Sequence, residues 1–222
     1  MIGVVIACRD GAAYLAEALR SIAAQDAPHE VVVVDDGSTD ASAEIARVHG
    51  ARVLPSGAPA SGPPLARRAG VAALGTDLLA FLDADDRWLP GKLAAQQAAL
   101  AADPALDAVV GGVRHFLSPD RAAALAGRVA LPPDQPVAHL FGTLLIRRAA
   151  WDRVARDGAD LGDTLGFFSA ARRTLTLGTL PGIVLERRIH GANWTMRQRD
   201  RLHADYLRAA RAAIVARRSA RP

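Results

Sequence analysis

The stretch LLAFLDADDRWLP, Leu78 to Pro90, most constrains what this chain can fold into. Leu78 to Leu82 run without a polar break, the pattern of a strand buried on both faces, and the run ends in Asp83-Ala84-Asp85-Asp86. A doubly buried strand requires helices on either side, and its charged end belongs at a rim open to water. Carboxylates at i and i+2, where a strand opens into a turn, can converge on one hard cation whose oxygen ligands also include a diphosphate. The bland alternative is an acidic cap on the helix that follows Trp88 and Pro90 and runs toward Asp103.

A second stretch repeats the arrangement. Val31 to Val34 form an apolar strand that again ends in acid, Asp35-Asp36-Gly37-Ser38-Thr39-Asp40, and Ser38 or Thr39 can cap the helix carrying Ile45 and Val48. Before it, Ile2 to Ala7 read as a strand, Cys8 to Gly11 as a polar loop, and Leu15, Leu19 and Ile22 as one face of a helix. A third strand fits Arg52 to Leu54, a Gly/Pro/Ser-rich surface loop Pro55 to Pro64, and a helix Leu65 to Leu74. This alternation predicts an α/β fold, a Rossmann-like, mostly parallel sheet with helices on both faces. Ligands bind such sheets beyond the carboxyl ends of the strands, where both acidic turns fall. Two strand ends delivering carboxylates to one edge are harder to explain as helix caps than either alone.

The second half is less regular. Ala108 to Val113 read as a strand, Ser118 to Pro136 as a helix-containing excursion, and Leu140 to Ile146 as a strand whose Gly142 marks close approach to a ligand. A helix fits Arg148 to Val154, and Ile183 to Ile189 lead as a strand into His190-Gly191-Ala192-Asn193-Trp194. The last residues form a basic amphipathic helix with Leu202, Tyr206 and Ile214 on its apolar face. The expected organisation is one domain over residues 1–195 followed by this tail, 196–222.

Composition narrows the partners. Of the formal net charge of +4, residues 195–222 carry +6, from eight arginines against Asp200 and Asp205, which leaves −2 for the body. The basicity belongs to the tail, and the few aromatic residues do not interleave with its arginines, so no nucleic-acid partner is expected. No apolar run approaches a membrane span and no signal-peptide pattern opens the chain, so the expected location is the cytoplasm; the tail's apolar face is expected to dock on the body, with peripheral membrane contact through the tail as the second expectation. The one cysteine, Cys8, excludes an intrachain disulfide and reads as a small buried residue.

The stretches VVIACRDGAAYLAEALRSIAAQ, VVVVDDGSTD, LARRAGVAALGTDLLAFLDADDRWLP and GTLLIRRAAW, in this order and spacing, resemble the family 2 glycosyltransferases. The resemblance covers most of residues 2–151 and implies the GT-A fold, with a nucleotide site at the carboxyl ends of the strands and a nucleotide-sugar donor. Ala7, Arg9, Asp35 and Asp36 would then surround the base, and Arg67 would match an arginine of the donor pocket. Asp83, Ala84 and Asp85 would align with the DXD motif that meets ribose, metal and diphosphate. Asp83 and Asp85, with His190 added, are the implied metal ligands for Mn²⁺ or Mg²⁺. Inverting transfer also needs a base to take the acceptor's proton. The family's Glu-Asp pair falls on Gly162-Asp163, which makes Asp163 the implied base and Asp160 its neighbour in reserve. The chain departs from the family at Asp10 and Arg68, where asparagine is common, and at Gly162, which leaves the nucleotide open.

The resemblance leaves the sugar open, as it does the acceptor, whether a glycan, a lipid-linked saccharide, a peptide or a small molecule. Two other readings compete: a nucleotidyltransferase of related fold, which would release pyrophosphate, and a degenerate nucleotide- or sugar-binding protein, which would bind donor without turnover.

Overall fold

In the computed structural model the described residues are 1–125, 127–156 and 164–190. They fall into two compact units, one made of Met1–Phe116 with Pro132–Arg188, the other of residues 117–131 with Ile189 and His190. The first unit holds both acidic turns. Its first half alternates strand and helix as the sequence predicts: β1 (Ile2–Cys8), α1 (Leu15–Ala23), β2 (His29–Asp35), α2 (Ser42–Val48), β3 (Arg52–Pro55), α3 (Pro63–Ala73) and β4 (Leu78–Asp83). There follow β5 (Arg87–Trp88), α4 (Lys92–Ala102), β6 (Ala108–Leu117), the short helix α5 (Ala122–Leu125) of the second unit, β7 (Leu145–Arg147), α6 (Arg148–Arg156), α7 (Thr164–Thr174) and β8 (Leu177–Ile189).

The sheet runs β3-β2-β1-β4-β7-β6-β8-β5. Its β3-β2-β1-β4 half is parallel, whereas β7 joins β4 antiparallel, β6 joins β7 antiparallel and β5 pairs antiparallel with β8. The sheet is thus parallel through its first four strands, with antiparallel pairing confined to its far half. In the parallel half each strand is separated from the next by a crossover helix, the connection parallel pairing requires, whereas β5, β6, β7 and β8 are laid down beyond β4 with antiparallel ladders.

Alternation along β1 divides the core. Ile2, Val4 and Ile6 point to the face covered by α1 and α4, where Leu15, Ile22, Leu93 and Leu100 are buried. Val5, with Val34 and Phe81, points to the opposite face, covered by Ala66 and Val71 of α3 and by Trp151, Phe167 and Phe168 of α6 and α7. Helix α3 lies so close to the sheet that a Cβ at Gly70 would come within 2.4 Å of Val5 Cγ1, so only glycine fits at that crossing. Pro63 and Pro64 open α3, at positions whose N–H groups have no helical partner.

Two departures from the sequence reading concern the far half. Residues 140–146 do not form one strand: Phe141–Thr143 make a 3₁₀ turn before the three-residue β7. A Cβ on Gly142 would meet Leu185 Cδ2 at 2.8 Å, so this glycine admits a core side chain rather than a ligand. Arg87–Trp88, too short to be recognised as a strand by periodicity, is paired through Arg87 with Glu186 and Trp88 with Leu185.

Candidate functional site

Parallel register assembles the rim. Cys8 at the end of β1 is level with Asp35 on β2, and Ala7 is level with Asp83 on β4, so the predicted positions 7, 35 and 83 stand side by side at the carboxyl ends of three adjacent strands. Cys8 is buried beside them, and burial pushes its thiol up to about 11, which leaves it a packing residue rather than a nucleophile.

The loop after β1 and the turn after β2 are latched together. Asp10 adopts a left-handed φ of 50°, a conformation that Asp and Asn tolerate better than most residues. Its Oδ1 accepts from the Thr39 N–H at 2.8 Å, and its own N–H donates to Ser38 Oγ at 3.0 Å. The Gly11 N–H donates to Ser42 Oγ and the Ala12 N–H to Asp40 Oδ2, each at 2.9 Å. Arg9 is exposed on this loop, its Nε 3.9 Å from Asp10 Oδ2. Asp35 Oδ1 accepts from the Ser38 N–H at 2.9 Å, closing its own turn.

Asp36 does something the sequence reading missed. It is buried, and its carboxylate holds the Pro55–Pro64 loop: Oδ1 accepts from Ser56 Oγ, Ser61 Oγ and the Ser61 N–H, and Oδ2 from the Gly62 N–H, over 2.6–2.9 Å. Burial alone would raise its pKa, but the hydrogen bonds from Ser56, Ser61 and Gly62 outweigh it and hold the carboxyl below the usual range. Gly37, at φ 81°, lies so near the loop that a Cβ would approach Pro59 Cβ to 2.9 Å. The alternation of Ser and Gly with Pro in residues 55–64 is the signal that could have revealed a clamped loop.

At the β4 end, Asp83 is partly exposed and accepts from Arg67 Nη2 at 2.7 Å. Arg67 is buried, its guanidinium 4.5 Å from the centroid of the Phe141 ring, which packs at 5.2 Å against Phe81. Two residues predicted for the donor pocket are thus brought into direct contact. Arg68, by contrast, is exposed. Ala84 and Asp85 are half-buried in the turn. Asp86 is buried and accepts from the Arg188 N–H at 2.9 Å; burial, then the neighbouring charges of Asp85 and Asp83, push its carboxyl well above the usual range. The four-residue motif therefore divides, with Asp83 at the rim and Asp86 turned inward.

The turn rests on an ion-pair network with no motif of its own. Arg188 is buried; its Nε donates to the Asp85 carbonyl at 2.9 Å and its Nη2 pairs with Glu17 of α1. Glu17 pairs also with Arg87, which pairs with Glu186, which pairs with Arg114. Tyr14 and Phe116 lie under the Arg188 guanidinium, 4.7 and 4.6 Å from its centre. Partial burial works against the charges of Glu17 and Glu186, yet their arginines hold both carboxyls below the usual range.

Behind the turn sits Lys92, the only lysine of the chain. It is fully buried, its Nζ 4.2 Å from the centroid of the Trp88 ring and 2.8 Å from Gln96 Oε1, and burial lowers its pKa to about 7. Trp88 Nε1 donates to the Gly142 carbonyl and Gln96 Nε2 to the Thr143 carbonyl, at 2.8 and 2.7 Å, so this polar core fixes the 3₁₀ turn beneath Arg67.

Among the described residues no group of three or more His, Cys, Asp or Glu side chains is arranged to hold a metal ion. Magnesium-type sites often take one or two carboxylates and fill the remaining positions from substrate phosphates and water, and the oxygen donors of Asp83 and Asp85 suit that chemistry. His190, half-buried one residue beyond β8, belongs to the second unit. Asp163, its neighbour Asp160 and the basic tail 196–222 lie outside the described residues.

The family model described as Glycosyl transferase family 2 matches residues 3–153. The succinoglycan biosynthesis protein ExoU of Rhizobium meliloti (strain 1021) is 37% identical over 94 residues, covering 40% of this chain and 28% of that protein. The chain thus spans less than a third of that relative's length. Among solved structures, S. aureus TarS 1-349 in complex with UDP-GlcNAc superposes with a TM-score of 0.63 at 18% identity, over 86% of this chain and 59% of that one. The mannosyltransferase PcManGT from Pyrobaculum calidifontis, in complex with GDP-Man and Mn²⁺, gives 0.58 at 19% identity, over 87% and 57%. At these identities the likeness establishes the GT-A fold.

Proposed function

The chain belongs to glycosyltransferase family 2, and from that premise we propose that it transfers a sugar, with inversion, from a nucleotide-diphosphate donor to an acceptor nucleophile with the help of a divalent cation. The observation that carries the reading is the register that ends β1, β2 and β4 at one edge, Cys8 level with Asp35 and Ala7 with Asp83, with Arg67 docked on Asp83. The base would lie along Ala7, Arg9 and Asp35, with Asp36 shaping the pocket through the loop it clamps. Arg67 and the acid turn would face ribose and diphosphate. Asp83 and Asp85 would hold Mn²⁺ or Mg²⁺, which when bound would neutralise charge on the departing diphosphate. The structure of PcManGT in complex with GDP-Man and Mn²⁺ supports this choice.

In the reaction the acceptor heteroatom attacks the anomeric carbon, the bond to the diphosphate breaks, and the acceptor's proton passes to Asp163. The likeness to a succinoglycan biosynthesis protein favours a saccharide acceptor. Among the described residues no helix is long and apolar enough to cross a membrane. The proposed location, read from the sequence, is the cytoplasm, with peripheral membrane contact through the basic tail as the secondary reading.

A screen of nucleotide sugars for thermal stabilisation, with and without Mn²⁺, tests the reading, because a ligand that binds only the folded state raises its apparent stability. The expected result is Mn²⁺-enhanced stabilisation by one nucleotide series, followed by release of nucleoside diphosphate on turnover. Release of pyrophosphate instead would mark a nucleotidyltransferase, and binding without turnover across a broad acceptor panel a degenerate binding protein.

A further inference from the structure

Three separate segments meet on the acid turn, and one side chain joins them. Arg188 donates from its backbone N–H to Asp86 Oδ1 and from Nε to the Asp85 carbonyl, each at 2.9 Å, so it grips the turn on both sides of the Asp85-Asp86 peptide. Its remaining edge is engaged by Glu17, 171 residues away on α1, and its plane is flanked by Tyr14 and Phe116. Only a guanidinium could make this set of contacts, since a lysine ammonium lacks the rigid fork. These contacts go to the turn's backbone and to its inward carboxylate, while Asp83 accepts from Arg67 Nη2.

We infer that Arg188, aimed by Glu17, is a positioning residue for the acid turn: it fixes the backbone between Asp85 and Asp86 so that Asp83 and Asp85 present one geometry to a nucleoside diphosphate and its divalent cation. The inference rests on the reading of the rim as a nucleotide-diphosphate site. Groups that orient metal-binding ligands from behind typically change metal affinity 10–100-fold when altered, and that is the scale expected here.

The test is calorimetric titration of the full chain with UDP, with and without Mn²⁺, for the wild type, Arg188→Lys, Glu17→Gln and the double variant, beside a melting temperature for each. Arg188→Lys keeps the charge and removes the fork. Its UDP affinity in Mn²⁺ should fall by about 10–100-fold, while affinity without Mn²⁺ changes little. Glu17→Gln should lose less in the same direction, and the double variant should be no worse than Arg188→Lys alone, because the two residues act through one contact. A purely structural role would lower the melting temperature and leave the Mn²⁺-dependent affinity of the folded protein unchanged, which would overturn the inference. Should Arg188→Lys fail to fold, the affinity of Glu17→Gln decides: a loss confined to the Mn²⁺ titration supports it, an unchanged value overturns it. A wild type that binds neither UDP nor any other nucleoside diphosphate under either condition would overturn the reading of the rim itself, and the inference with it; one that binds another nucleoside diphosphate in place of UDP is titrated with that one, with the same outcomes.

Discussion

The two ends of the rim are held by different kinds of bond. On the β1–β2 side, carboxylates accept from backbone N–H and hydroxyl groups: Asp10 from Thr39, Asp40 from Ala12, Asp36 from Ser56, Ser61 and Gly62. Those partners are at most 29 residues apart in the chain. On the β4 side the turn is held by charge against charge, with Arg87 reaching Glu186 across 99 residues and Arg188 reaching Glu17 across 171. A short-range scaffold of neutral donors fits a surface that must receive a ligand base. A long-range network of ion pairs fits a turn that would otherwise be splayed by Asp83, Asp85 and Asp86 repelling one another.

If both ends only bind donor and cation, the proton transfer belongs to neither, and the variant expected to have the largest effect is Asp163→Asn. Turnover to the true acceptor should fall by about two to four orders of magnitude, the usual worth of a positioned base, with donor binding intact. Near-native transfer would move the role to Asp160 or reduce Asp163 to a helix cap, since Asn caps nearly as well as Asp.

The β1–β2 end breaks next. Asp36→Ala strands the N–H groups of Ser61 and Gly62 and should cost about 1–3 kcal/mol, seen as a lower denaturation midpoint and as faster proteolysis within residues 56–62. Equal protease resistance would show that the loop does not hang on this carboxylate.

Acid should break both ends together. Glu17 and Glu186 have folded pKa values below 4.5, and Asp36 and Asp40 below 3.8, so each binds fewer protons folded than unfolded. Their stabilisation is complete above the unfolded values and is lost as pH falls from about 4.5 through the lowered folded ones. Glu186→Gln should shrink that loss in pH-dependent denaturation, and an unchanged loss in this variant would contradict the account.

Lys92 carries the opposite sign. Its folded pKa of about 7, against 10.5 for an ordinary lysine, means that the unfolded chain binds the extra proton between those values. Stability should therefore rise with pH from 7 toward 10.5 and stay flat on this account below 7. In Lys92→Met that rise should disappear. Because the chain has one lysine, its ε-amino signal in a lysine-labelled sample is unique, and titration near 10 instead of near 7 would contradict the assignment.

How much of this was legible depends on distance along the chain. The parallel half was readable because the run Leu78 to Leu82 and the runs of β1 and β2 declare buried strands, and because parallel strands must deliver their ends to one edge. That placed the turns of Asp35 and Asp83 at one edge of the sheet before any coordinates. Asp36 was legible as an acidic rim residue but not as a clamp, because its partners sit in a loop with no periodicity. Arg188 was illegible: a strand arginine among several carries no mark of the glutamate it will meet 171 residues away. Gly142 was misread because close approach was assigned to a ligand when Leu185 fills the space.

The central claim, that the β4 end presents Asp83 and Asp85 to a cation-bound nucleotide diphosphate, is tested most directly by titrating Asp85→Asn with a nucleotide sugar and Mn²⁺ beside the wild type. Asp85 is a half-buried turn residue, so the substitution removes charge without opening the core. The account predicts an unchanged melting temperature with the Mn²⁺-dependent part of donor affinity lost. Unchanged affinity in Mn²⁺ would contradict it.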